Sequence, residues 1–147
     1  MKAVKEYYEE LDSEYVKVLN DMFVLDAVIC NTVRHFGNFG FLVDNRTNKI
    51  VAPAPLFDHG NSLFNYFGAD DLASAETLAA YAETLLPCAY DDFMGTAKAA
   101  LTPEHKEGFR HLLEFRFKRH TRYNLPPKHL NLIEKQVRKR AKILLEK

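Results

Sequence analysis

Cysteine is scarce in this sequence: Cys30 and Cys88 are the only two, with no CxxC spacing and no disulfide-scaffold pattern. That argues against a stapled secreted domain and suits a reducing cytosol. Charge of one sign is also missing. Lys plus Arg and Asp plus Glu both number 20, so no net field argues for a nucleic acid or a membrane surface. No run approaches the ~18 apolar residues a membrane span needs. The start, MKAVKEYYEELD, is charged where a signal peptide is apolar. Internal repeats, low-complexity tracts and domain linkers do not occur. What is present is a hydrophobic share of 47% over 147 residues, enough for a core that needs no metal or disulfide. The expectation is a soluble, cytoplasmic protein with a single domain over 1–147.

Helical spacing dominates. Val4, Tyr8, Leu11, Tyr15, Val18 and Met22 recur at steps of four and three and predict one face of an opening helix. MFVLDAVI, residues 22–29, is apolar almost all round except for Asp26. A helix of that kind lies in a core, so Asp26 needs a partner and reads as a hydrogen-bonding residue that fixes the following loop. Further on, 74–86 predicts a helix starting at Ser74 or Thr77 and stopping at Pro87. A shorter helix follows over 90–101, weakened by Gly95. Thr102-Pro103 is a strong start signal for a helix bearing Phe109, Leu112, Leu113 and Phe117 on one face, broken at 124–127. The last helix places Leu130, Ile133, Val137, Ala141 and Leu144 on one stripe.

The chain is organised around residues 31–60, NTVRHFGNFGFLVDNRTNKIVAPAPLFDHG. Residues 39–43 and 49–52 flank DNRTN and predict a β-hairpin, ended by Pro53 and Pro55. The fold class expected is mainly α, a helical bundle with this one small hairpin inserted. Asn38 stands between Gly37 and Gly40, and Asp58 just before Gly60, where glycine lets backbone bend close to a ligand. Folding back at the hairpin brings Asn38 and Asp58 towards each other as metal-ligand candidates.

These residues resemble the HipA-like serine/threonine kinases, whose lobes are similar to those of protein and phosphoinositide kinases. That family's catalytic loop reads Asn-x-Asp-x-His-x-x-Asn, and its magnesium-binding segment ends in an Asp at or near a Gly. Here the loop is Asn31-Thr32-Val33-Arg34-His35-Phe36-Gly37-Asn38 and the segment Pro55-Leu56-Phe57-Asp58-His59-Gly60. The resemblance covers roughly residues 21–64, and the helical tail suits the rest of a C-terminal lobe. It implies ATP and Mg2+ as cofactors, with Asn38 and Asp58 as metal ligands and His35 tying the loop to the segment around Asp58. Magnesium prefers hard oxygen donors, and phosphoryl transfer needs positioning and charge neutralisation more than covalent help.

Two departures point to an inactive, pseudokinase-like chain. The kinase base, five residues before the metal-binding Asn, is Val33 here. Valine accepts no proton, and a positioned base contributes typically ~10²–10⁴-fold; His35 is the one substitute in reach. None of the six glycines is spaced as G-x-G-x-x-G, so the nucleotide-clamping N-terminal lobe is expected to be absent from this chain. Its partners would then be a separate N-terminal lobe, a DNA-binding antitoxin-like protein as in toxin–antitoxin pairs, or a second copy meeting the bare lobe face. Three alternatives compete. One is a metal site of His35, Asp58 and His59. Another is a non-enzymatic interaction module on the same lobe. The third is a nucleic-acid-binding module using the basic and aromatic run 115–123 with Arg138-Lys139-Arg140. For that run the simpler account is cations at a helix C-terminus on a solvated face.

Overall fold

The computed structural model describes residues 1–67 and 74–146. Its elements run α1 (Lys2–Leu11), α2 (Tyr15–Ile29), β1 (Phe41–Asp44), β2 (Lys49–Pro53), α3 (Ala75–Thr84), α4 (Phe93–Ala100), α5 (Pro103–Leu112) and α6 (Pro127–Leu145). The fold is mainly α with one antiparallel hairpin, as the residue pattern predicts. Among the described residues no helix is long and apolar enough to cross a membrane.

α2 is the central element. It packs against α1, α4, α6 and strand β2, and its apolar residues are buried on nearly every side, among them Leu19, Met22, Ala27 and Val28. Fully buried Ala27, Ala97 and Ala141 lie on α2, α4 and α6. Small side chains at such contacts let helix axes approach closely. Buried apolar residues from all six helices join in one cluster. The stripe predicted on α6, Leu130, Ile133, Val137, Ala141 and Leu144, is buried throughout.

The single opening helix is corrected to two. Asp12 takes extended backbone (φ −167°, ψ 129°), and its Oδ1 accepts the Glu14 amide at 2.9 Å. An Asp side chain that captures nearby amides competes with helix propagation. The four-residue steps run across this break without sensing it. Beyond it the buried face comprises Val16, Leu19 and Met22, while Tyr15 and Val18 are only half-buried.

Capping chemistry sets the later helices. Ser74 caps α3 by accepting the Thr77 amide at 3.1 Å, and the helix ends at Thr84, before Pro87. Asp92 caps α4 through the Gly95 amide, so that helix begins at Phe93 and not at Tyr90. A Cβ on Gly95 would stand 2.7 Å from the capping carboxylate; the glycine makes room for the cap instead of weakening the helix. Thr102 and His105 form a capping box at the start of α5, with Pro103 in the first turn. α5 stops at Leu112, so Phe117 does not share its face. The chain instead turns back along α6, where Phe117 N donates to Glu134 Oε1 (2.9 Å) and Arg138 Nη1 to the Phe115 carbonyl (2.8 Å).

The hairpin is displaced by two residues at its start and one at its end. Phe41 pairs with Pro53 and Asp44 with Lys49, with a bulge between Leu42 and Val43. Phe39 belongs to the preceding turn. At the tip, Asp44 Oδ1 accepts the amides of Arg46 (2.8 Å) and Thr47 (3.0 Å), and Asn48 supplies the left-handed residue (φ 57°). Phe41 seats the hairpin on the first two helices, its ring centroid 4.4 Å from Tyr8 and 5.9 Å from Tyr15.

Candidate functional site

Asp26 is fully buried near the end of α2, and a lone carboxylate there would be costly. Its partner is Arg34, also fully buried. Nε donates to Oδ2 at 2.8 Å and Nη2 to Oδ1 at 3.0 Å, a two-pronged pair. Asn31 Nδ2 donates to Oδ1 at 3.1 Å and the Tyr90 hydroxyl to Oδ2 at 3.3 Å. Asp26 therefore fixes the loop that follows α2, as its place in an apolar helix predicts. Burial, then the negative charge of Asp26 and the hydrogen bond to it, push the Tyr90 phenol well above its ordinary range.

The rest of the Arg34 guanidinium gathers the two motif segments. Nη1 donates to the Asn38 carbonyl at 2.7 Å and to the Phe57 carbonyl at 2.9 Å, while Nη2 donates to His59 Nδ1 at 3.2 Å. Asn31 Nδ2 also reaches the Asp58 carbonyl at 3.4 Å. The loop before the hairpin and the segment after it thus meet on one side chain. The backbone adds its own ties: Thr32 N donates to the Asn61 carbonyl (3.4 Å) and Leu63 N to the Ile29 carbonyl (2.7 Å).

Each residue singled out in the sequence has a definite place. Asn38 closes one turn of 3-10 helix over Phe36–Asn38 and is buried. Its Nδ2 donates to the Val33 carbonyl at 2.9 Å, so the amide oxygen is the end left for a ligand. Val33 is half-buried and offers only that carbonyl. Asp58 is exposed in left-handed backbone (φ 57°), and its carboxylate has no hydrogen-bond partner among the described residues. The bend falls on Asp58 itself, since no described glycine has positive φ. His35 is exposed and caps the 3-10 turn, its Nδ1 accepting the Gly37 amide at 3.0 Å. Gly37 leaves room for this bond: a Cβ there would stand 3.0 Å from the imidazole, so the ring would have to shift slightly. The tie to the Asp58 segment runs through Arg34 and Asn31; the bond of His35 stays inside its own loop. Among the described residues no three His, Cys, Asp or Glu side chains come together to hold a metal, so His35, Asp58 and His59 do not form the alternative triad.

Three further features surround the site. Leu63 (φ 55°) and Phe64 (φ 61°) are consecutive left-handed residues just after it. Such backbone costs about 1–3 kcal/mol per residue and is held only by its surroundings. Cys30, left-handed at φ 54°, ends α2, and burial pushes its thiol up to about 11. A cleft of about 320 Å³ is lined by Cys30, Thr32, Asn61, Phe64 and Tyr81. Arg34 and Tyr90 are the residues that motif reading passes over. The signal for the first is local, a cation eight residues after a buried acid in a loop otherwise without charge.

Comparison with protein families, with curated proteins and with solved structures returns no match.

Proposed function

We propose that the chain is a kinase-like lobe of the HipA-like type, keeping a magnesium position at Asn38 and Asp58 but lacking a working base at Val33. The observation that carries this reading is the Arg34 guanidinium. It holds the Asn38 and Phe57 carbonyls on one nitrogen, at 2.7 and 2.9 Å. Loop, hairpin and acidic segment follow in the order of the resemblance, and the fold back at the hairpin gives the order a spatial counterpart.

The donor set fits magnesium. The Asn38 amide oxygen and the Asp58 carboxylate are hard oxygen ligands. Mg2+ keeps several waters and takes only one or two protein groups beside substrate phosphates, so a full protein cage is not required. When bound, the ion would neutralise phosphate charge on a nucleotide such as ATP. The residues of this chain position and orient. Arg34 sets the spacing of the two segments, Asn38 is locked by the Val33 carbonyl, and Asp58 presents its carboxylate to solvent. Val33 takes no proton from a substrate hydroxyl, and His35 Nδ1 is engaged by Gly37.

In this reading the protein is cytoplasmic. The glycine-loop half of the site, which none of the 147 residues supplies, comes from an N-terminal lobe on the same or a separate polypeptide. Phe36, Leu42, Val51 and Phe57 are exposed on the hairpin and on the segments before and after it, apolar side chains suited to contact with such a lobe, with an antitoxin-like DNA-binding protein or with a second copy.

Manganese, a paramagnetic substitute for magnesium, tests the site without catalysis. Titrated into isotope-labelled chain, Mn2+ should broaden resonances around Asn38 and Asp58 first, and Asp58→Ala should abolish the effect. Broadening confined to other acidic residues would sink the metal assignment. Radiolabelled ATP should give no transfer to protein with the chain alone, nor with Val33→Asp; robust transfer by either would overturn the inactive reading.

A further inference from the structure

The basic and aromatic run 115–123 is not the end of a helix. α5 ends at Leu112, and residues 115–126 follow as an irregular segment, exposed except for half-buried Phe115 and Phe117. The account in which these cations answer a helix dipole therefore loses its helix. Its charge is one-sided: between Glu114 and Glu134 the sequence holds no Asp or Glu. Glu134 is buried and already paired with Arg119 at 2.6 Å. Arg119 is spent there and on Asn131 Oδ1 (3.0 Å). Arg116, Lys118, Arg122 and Lys128 remain exposed.

The segment is also shaped. Phe115 and Phe117 alternate inward, with ring centroids 4.9 Å apart, so Arg116 and Lys118 face out. The bonds from Phe117 N and Arg138 described above pin this strip to α6. At its tip His120 Nδ1 accepts the amides of Arg122 and Tyr123, both at 3.0 Å. His120 N donates to Asn124 Oδ1 at 2.8 Å. The result is a closed loop displaying Tyr123, which is 73% exposed. The Tyr123 ring stacks on His120 at 5.4 Å and 28°, with the Arg122 guanidinium 5.5 Å from its centroid.

We infer that this strip binds single-stranded nucleic acid, with Arg116, Lys118, Arg122 and Lys128 following phosphates and Tyr123 stacking on an unpaired base. A flat, preformed aromatic platform beside cations is what an unstacked base needs. A duplex hides its base faces, and a lipid headgroup has none. Zero net charge does not oppose this, because the balancing acids lie elsewhere, as in MKAVKEYYEELD at the start.

The test is fluorescence anisotropy of the full 147-residue chain with labelled 12-nucleotide single strands of DNA and of RNA. Controls are a hairpin duplex of equal charge and phosphatidylserine vesicles. Four phosphate contacts predict that log K falls with log salt at a slope of about −3. Tyr123→Ala should weaken single-strand binding about fivefold or more and leave the slope unchanged. Arg116→Gln with Lys118→Gln should make the slope shallower. All three residues are exposed, so each variant's circular dichroism should match the parent. No binding at 50 mM salt overturns the inference. So does equal affinity for duplex with no effect of Tyr123→Ala, or binding to vesicles alone.

Discussion

Replacing Arg34 by methionine keeps the length and apolar stem of the side chain and removes its guanidinium. The structure says what is lost. Asp26 keeps only the Asn31 and Tyr90 donors, inside a site where neither member of the ion pair is exposed. The Asn38 and Phe57 carbonyls lose their shared donor and His59 loses its tie. Breaking a buried pair from one side costs about 3–5 kcal/mol, because a charge is left without compensation. Domains of this kind have about 5–15 kcal/mol of stability, so Arg34→Met should remove about a fifth of it or more. Urea denaturation followed by circular dichroism measures the loss. In thermal melts it corresponds to a fall of about 10 °C, at roughly 2–4 °C per kcal/mol. Asp26→Asn combined with Arg34→Met removes both charges and should be more stable than Arg34→Met alone. Loss of less than ~1 kcal/mol in the single variant, or costs that simply add in the double, would refute the clasp as the organiser of this site.

Gly95→Ala improves intrinsic helix propensity by ~1 kcal/mol but forces a Cβ to 2.7 Å from the Asp92 carboxylate. Making room means turning the Asp92 carboxylate out of the cap, which costs typically ~1 kcal/mol and up to ~2, so a lowered melting temperature is expected; a raised one shows that the cap does not matter. Burial holds the phenols of Tyr8 and Tyr90 above the ordinary tyrosine value of 10.0. Above that pH the unfolded chain releases protons that the folded chain retains, so stability should fall as pH rises past 10. Tyr90→Phe should flatten that fall in urea melts between pH 9 and 11, and an unchanged profile would remove Tyr90 as its source.

Much of the architecture was legible because its causes are local. Ser74, Thr102-Pro103 and the stripe on α6 act through neighbours a few residues away, and each appears where spacing predicts it. The hairpin was legible from its turn residues, though its first strand begins at Phe41 because Phe39 is drawn into the turn that Asn38 closes. The break at Asp12 was missed since helical periodicity passes over a residue whose side chain captures an amide only two positions on. At the candidate site, burial of Asp26 announced that a partner must exist without naming it. Arg34 was in the motif but read as a variable position between Val33 and His35. Tyr90 lies 64 residues from Asp26, and no local pattern links them. The meeting of the loop before the hairpin with the segment after it was anticipated; what holds the two was not.

Two of the bonds that Arg34 makes across the site end on main-chain oxygens, those of residues 38 and 57. A clamp that grips peptide carbonyls is indifferent to the side chains projecting from the same residues. Chemistry at 33 or 58 can drift, one residue at a time, while the frame around it persists. A chain of this design can lose a reaction and keep its shape, and the shape then remains available for another use.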